Sequence, residues 1–429
     1  MRFKQLQRLW RSHLFQNVLA LLGGASLARM ISALTLILLA RHLRVEVFGQ
    51  YVAALAFLNV ASILFSLGLD SWLLHVCGNS KDLACLATAW TTSAVVKGGL
   101  GIFWVAAMWG LGAAWPNKIF TPSLLLWGAL SVWLEELVGL AWNVFKAALR
   151  NRETLVLMTL FHVIVLMANL IGIWLNAATA EAFLIARVTA AGVVAVITLS
   201  WLVRVFGIRF ERSLFWPSMR AAMPFGLSMF LSLIYGRADI IIVAHWLGSQ
   251  AAGFYGPAVS LLATFLLIPA SVYGVVVPYL SGVYREDPER LKTVVHSSIV
   301  WHGLLGLGMT LTIILSARPL VLLIYGDKYL LTGKLLQILS FISFVRCLTL
   351  ILAAILIAIG QQKQRVIVQL LAAIFNLVGN VLIVQRFQLS GVALMYVASE
   401  VVLMIGYLWL FITWHRRYQT VRVSKMAVI

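Results

Sequence analysis

Ten formally charged side chains lie inside stretches of this 429-residue chain that are otherwise apolar. Five are basic (Arg29, Lys97, Arg187, Arg237 and Arg346) and five are acidic (Asp70, Glu135, Glu136, Asp239 and Glu400). Charge in such a segment is costly, so each of these residues is a functional candidate. Two kinds of chemistry are open to them. Arginine grips an oxygen-rich anion with a bidentate fork, and lysine meets it as a point charge. Arg29, Lys97, Arg237 and Arg346 fall near the middles of their runs, too deep to snorkel out. A carboxyl group in a low-dielectric setting takes up a proton more readily than in water. Glu135, Glu136, Asp239 and Glu400 are therefore candidates for proton or sodium coupling. Glu135 and Glu136 point about 100° apart on a helix, so only one of them faces a given cavity. The competing assignment makes each base the structural partner of an acid, and a five-to-five balance fits both.

Neutral polar residues at helical spacing mark faces that meet either a polar neighbour or water. Pro224, Ser228, Ser232, Tyr235 and Asp239 form one such stripe. Arg237 lies about 200° around that helix from Asp239, so the two are not expected to pair directly. His162, Asn169 and Asn176 form a second stripe, Gln369, Asn376 and Asn380 a third, and Tyr396, Glu400 and Tyr407 a fourth. Arg187 aligns with Thr198.

The elements that must position these residues are long apolar runs. The chain is 62% hydrophobic and 11% charged, with mean hydropathy +0.97. That composition excludes a soluble domain and predicts an all-α integral membrane protein. Continuous apolar runs also exclude a β-barrel, whose strands alternate. Twelve spans are expected, at about 14–40, 49–77, 83–113, 120–145, 154–175, 179–206, 221–247, 252–284, 291–317, 335–359, 365–384 and 390–414. The first is too long for a removable signal peptide. The loops are short; the longest, about 207–220 and 318–334, leave no room for a soluble domain.

With both termini cytoplasmic, 21 lysines and arginines fall on inner segments. Seven fall on outer ones: Arg41, Arg44, Lys118, Arg318, Lys328, Lys334 and Arg386. This asymmetry sets the orientation. It also accounts for the net charge of +19, which is topogenic and contacts anionic lipid heads rather than nucleic acid. The three cysteines, Cys77, Cys85 and Cys347, show no CxxC or metal spacing and read as isolated thiols. Trp10, Trp72, Trp115, Trp216, Trp246 and Trp414 fall near span ends, as an interfacial belt requires.

The stretch from Met223 to Tyr284 is a hairpin of two spans, separated by a five-residue polar turn near Gly248. Its second arm carries Pro257, Pro269 and Pro278, each a candidate bend and hinge. The hairpin also contains half of an internal repeat. At an offset of 204 residues, Ala40, Leu43, Gly49, Tyr51, Ala54 and Leu58 coincide with Ala244, Leu247, Gly253, Tyr255, Ala258 and Leu262. The match falls at the same place in each set of six helices. It predicts two parallel six-helix halves, with a substrate path between them and alternating access. The expected boundaries are 1–207 for the N-terminal bundle, 208–220 for a cytoplasmic linker and 221–429 for the C-terminal bundle.

The run LRVEVFGQY, Leu43 to Tyr51, resembles the first-hairpin motif of the Wzx-like polysaccharide flippases. That family belongs to the MATE/MOP superfamily, with the multidrug and toxic-compound extrusion transporters and the lipid II flippases. Arg44 stands where the motif has glycine. The second copy, Leu247-Gly248 and Gly253-Phe254-Tyr255, is closer to the motif. Tyr235 to Asp239 (YGRAD) and Pro319 to Leu330 (PLVLLIYGDKYL, a helix-breaking segment) are similar to the family at corresponding places. The resemblance implies a flippase for a polyprenyl-pyrophosphate-linked oligosaccharide, working in surface polysaccharide biosynthesis at the cytoplasmic (inner) membrane. It implies membrane lipids, a polysaccharide polymerase and export components as partners, and no nucleic acid. On that reading Arg29, Lys97, Arg187, Arg237 and Arg346 hold the pyrophosphate-sugar head.

The rivals are a cation-coupled small-molecule exporter, a lipid II flippase and a membrane glycosyltransferase or polymerase. Lipid II flippases usually have fourteen spans, against twelve here. The enzyme reading lacks a large outer loop, and no Walker, HExxH or GxSxG sequence occurs. No cofactor, metal site or catalytic residue is expected.

Overall fold

The computed structural model describes residues 13–78, 82–114, 119–286 and 290–426, which are almost entirely helical, with no strand among them. Trp10, Trp115 and Lys118 lie outside the described residues. A helix satisfies its own backbone groups in lipid, so continuous apolar runs take this form. Ten helical stretches among the described residues are long and apolar enough to cross a bilayer. The last, Gln362–His415, has 54 residues, more than twice the roughly 20 one crossing needs. It breaks at Gln388 (φ 48°, ψ −146°), between the expected spans 365–384 and 390–414. The first expected span lies in α1 (His13–His42).

The chain divides into two compact units, Met1–Arg237 and Ala238–Ile429. The first holds α1, α2 (Val45–Ala61), α3 (Ile63–Ser66), α4 (Leu69–Cys77), α5 (Leu83–Ala114), α6 (Pro122–Ala147), α7 (Asn151–Trp174), α8 (Ala180–Phe206) and most of α9 (Arg212–Leu247). The second holds the end of α9, α10 (Ser249–Phe265), α11 (Leu267–Glu286), α12 (Arg290–Tyr325), α13 (Leu330–Leu339), α14 (Phe341–Ala358) and α15 (Gln362–Met426). The linker expected at 208–220 is non-helical only to residue 211. Phe215 and Met219 pack on the first unit's core and draw the remainder into α9.

That core joins Leu69, Trp72, Trp90, Leu140, Phe145, Leu202 and Phe206 from α4, α5, α6 and α8. Lipid tails are as apolar as leucine, so close packing and polar contacts bind these helices rather than exclusion of water. The connector before α9 is pinned to α5: Trp90 Nε1 donates to the Gly207 carbonyl at 3.1 Å, and the Arg209 amide donates to Thr91 Oγ1 at 3.3 Å. Helix starts follow the usual capping chemistry. Thr121 Oγ1 accepts from the Leu124 amide at 3.2 Å with Pro122 at the first helical position, and Thr179 Oγ1 accepts from the Ala182 amide at 3.3 Å.

The expected span 49–77 is broken. Leu67 (φ 50°) and Gly68 (φ 76°) are both left-handed and separate α3 from α4. Gly68 meets Gly226 of α9 backbone to backbone. A Cβ at Gly68 would overlap the Gly226 nitrogen, and one at Gly226 would lie 2.7 Å from the Leu67 oxygen.

The hairpin turn contracts from the expected five residues to one, because Gly248 (φ 91°) reverses the chain alone. Its second arm breaks at Leu266. Pro269 sits in the first turn of α11, where a missing amide costs no hydrogen bond. Pro257 is accommodated inside α10, and Pro278 lies within the bounds of α11. The expected loop 318–334 is largely helical. Helix α12 passes through Pro319 to Tyr325, Gly326 (φ 87°) stops it, and a 3₁₀ turn (Asp327–Tyr329) leads into α13.

Cys77 and Cys85 are not isolated thiols. They form a disulfide, Cα–Cα 6.3 Å, that ties the end of α4 to the start of α5. Their eight-residue separation matches no recognisable motif, so nothing in the sequence signalled the bond. Cys347 is free and buried.

Candidate functional site

In the first unit, the fully buried Lys97 of α5 uses all three of its protons. They go to Asp70 Oδ2 of α4 at 2.8 Å, to Glu136 Oε2 of α6 at 2.8 Å and to the Glu136 carbonyl at 3.2 Å. Trp133 Nε1 donates to the Lys97 carbonyl at 2.9 Å and fixes α5 on α6. Beside this cluster, Arg187 of α8 forks onto Glu135. Nη2 meets Oε2 at 2.8 Å, and Nε meets Oε1. The buried Tyr51 hydroxyl of α2 adjoins that pair. The two adjacent glutamates thus face different partners, as their roughly 100° separation requires.

In the second unit, Asp239 is buried and held by neutral donors. Tyr255 Oη donates to Oδ2 at 3.1 Å and Asn380 Nδ2 donates to Oδ1 at 3.0 Å. Asn380 Nδ2 also reaches Asn376 Oδ1 at 3.2 Å, Asn376 Nδ2 donates to Ser399 Oγ at 3.1 Å, and Ser399 donates to the Met395 carbonyl at 2.7 Å. In the same unit, Arg346 Nη2 pairs with the fully buried Glu400 Oε1 at 2.5 Å.

Three of the five expected anion-binding bases are therefore engaged by carboxylates: Lys97, Arg187 and Arg346. An anion could reach any of them only by displacing a charged partner. Arg29 and Arg237 differ. Both are exposed, and among the described residues neither makes a hydrogen bond or ion pair. Arg237 stands within electrostatic reach of Arg187, a like charge. It is turned outward while Asp239, two residues on, is buried, as the 200° estimate predicts.

The polar stripes divide in the same way. Asn376 with Asn380, and Tyr396 with Glu400 and Tyr407, face the interior of the second unit, whereas Gln369 is exposed. Pro224, Ser228 and Ser232 are exposed along α9. Asn176 leaves its stripe, because it lies beyond the end of α7 with φ 55°. Asn169 is buried and bonds back to the Val165 carbonyl at 2.7 Å.

Sequence reasoning counts Asp70 among the embedded acids but gives it no role, and it overlooks Tyr255 and Ser399 as members of these networks. One signal pointed to the tyrosine. Tyr51 and Tyr255 coincide at the repeat offset, both are fully buried, and each adjoins a carboxylate of its own unit.

The fold is that of MOP-type membrane transporters. The inward closed form of the lipid II flippase MurJ superposes with TM-score 0.70 at 14% identity, over 91% of this chain and 87% of that one. A eukaryotic MATE transporter, AtDTX14, gives 0.66 at 13% identity over 92% and 95%. A MOP superfamily transporter of Pyrococcus furiosus gives 0.62 at 15% identity over 94% and 96%. Residues 38–333 match the family described as "Polysaccharide biosynthesis protein", and the chain belongs to that family. It is a multi-pass membrane protein by its long apolar helices, and it shares the fold of these transporters. A further relative, "Uncharacterized membrane protein MJ1068" of Methanocaldococcus jannaschii, is 26% identical over 184 residues. That match covers 42% of this chain and about a third, 36%, of the relative's length.

Proposed function

We propose that the protein moves a polyprenyl-pyrophosphate-linked oligosaccharide from the cytoplasmic to the outer leaflet of the inner membrane, for surface polysaccharide assembly. The observation that carries this reading is the state of Arg237 within a polysaccharide-biosynthesis family member. It is an arginine in a membrane helix, exposed, with no carboxylate partner among the described residues. A pyrophosphate offers the bidentate oxygen pairs that a guanidinium matches. Arg29 is the second such group. Lys97, Arg187 and Arg346 act as the rigid charged cores of the units rather than as headgroup ligands. The polyprenyl tail stays in lipid.

Transport follows alternating access between the two six-helix repeats, with both termini cytoplasmic and with bends at Leu266 and the prolines of α10 and α11 absorbing the motion. Asp239 is the coupling carboxylate. Its partners are neutral, so a proton or sodium ion neutralises it without breaking an ion pair. A polysaccharide polymerase and export components take the product.

The test is leaflet accessibility of a labelled polyprenyl-pyrophosphate oligosaccharide in vesicles holding the purified protein. Translocation is expected, with a large loss of rate for Arg237→Ala while the protein remains folded. Uptake of a soluble organic cation with no lipid movement would make it a small-molecule exporter.

A further inference from the structure

One buried ion cluster of the first unit, among the described residues, does not balance within itself. Glu135 is matched one to one by Arg187. Lys97 alone faces two carboxylates, Asp70 and Glu136. With both ionised, the cluster keeps one uncompensated negative charge in the membrane interior, a costly state.

Hydrogen bonding is short by the same amount. The three ammonium protons are committed, so among the described residues Asp70 Oδ1 is buried without a donor. Among the described residues, the hydroxyls of Ser93 and Ser66 are also buried without a partner. Ser93 is fully buried and lies one helical turn before Lys97 on the same face of α5. Ser66 lies four residues before Asp70, on α3, which packs against α5. Buried polar atoms are nearly always satisfied, so the orphaned carboxylate oxygen of this unbalanced cluster calls for one more proton there.

We propose that Asp70 and Glu136 hold one proton between them, making the Lys97 cluster a single-proton site distinct from the Asp239 network of the other unit. The site consists of Asp70, Lys97 and Glu136. Among the described residues Asp70 Oδ1 is the cluster oxygen that no donor reaches, and the proton is shared by the two carboxylates. It arrives from a hydronium ion, forming one O–H bond and releasing water, and no electrons move. Release of the proton leaves Lys97 between two full negative charges. The charged and titratable groups around the site are Lys97 of α5, Glu135 beside Glu136 on α6, and, around Glu135, Arg187 of α8 and Tyr51 of α2, with Arg237 of α9 within electrostatic reach of Arg187. His162 of α7 lies on the Arg187 side. Helix α3 adds only the Ser66 hydroxyl. The proposal does not rest on the flippase reading.

The test is infrared difference spectroscopy of the full-length protein in lipid nanodiscs at neutral pH, following the carbonyl stretch of protonated carboxylic acid. Asp70→Asn and Glu136→Gln each restore a one-to-one pair with Lys97, so each is expected to remove one acid band per molecule relative to wild type. Asp239→Asn serves as the control and should leave that band in place. Lys97→Met is expected to add a second protonated acid. An unchanged band in both Asp70→Asn and Glu136→Gln overturns the proposal. So does a band that appears only when sodium is withheld, which would make sodium the balancing cation. The readout is spectroscopic, so a failure here leaves the transport assay untouched, and the reverse also holds.

Discussion

Asp239 and Glu400 are both buried acids of the second unit, yet their surroundings assign them different work. Glu400 faces a guanidinium, and replacing it would strand Arg346. Asp239 faces a phenol and an amide. Hydrogen bonds to a charged group contribute about 1.5–3 kcal/mol each. Tyr255→Phe is therefore expected to lower thermal stability by an amount of that order, read from the melting temperature in detergent. Asp239→Asn keeps the shape and removes the charge. Its expected effect is loss of any dependence of lipid translocation on a proton or sodium gradient, with downhill movement retained. An unchanged gradient dependence in that variant would move the coupling site elsewhere.

The membrane-embedded charges are legible in the sequence at this scale, and so is the opposite facing of Arg237 and Asp239, because helical geometry is local. Their pairing is not. Lys97 finds its acids 27 and 39 residues away, and Arg187 finds Glu135 at 52. Equal totals of acid and base do not say which helix faces which.

At the scale of elements, the contact between Gly68 and Gly226 is the sharpest constraint. Two backbones meet with no space for a methyl group on either side, and Gly68 also needs a left-handed conformation. Gly226→Ala is expected to cost about 1–3 kcal/mol through overpacking. Fluorescence-detected size-exclusion chromatography after a heating series would show it as a lower melting point. Gly236→Ala, on the same helix with open space around it, should leave the melting point unchanged. Hydropathy locates the helices well, because burial in lipid demands long apolar runs. It does not locate the interruptions at Leu67, Leu266 and Gln388, since only one of the three adjoins a glycine and none is marked by a proline at the break itself. Those interruptions come from packing, which local sequence does not record.

For the whole molecule, the all-helical membrane fold is readable because the length and number of apolar runs follow directly from composition and hydropathy. MurJ and the MATE transporter share the fold at 14% and 13% identity. The substrate is less legible, because the candidate headgroup ligands are single side chains scattered through long apolar runs.

The bond between Cys77 and Cys85 has a consequence for the living cell. On the proposed orientation, with both termini cytoplasmic, the α4–α5 connection faces the cytoplasm, where thiols are kept reduced in most organisms. That orientation predicts an open dithiol during growth, which closes to the observed bridge on exposure to air. Alkylation of intact cells with a membrane-permeant maleimide should trap Cys77 and Cys85 as free thiols, while an impermeant reagent should leave both unlabelled. A bridge already closed before lysis would instead place this loop, and with it both termini, on the oxidising side. Eight residues of sequence thus serve as a compass for the entire chain.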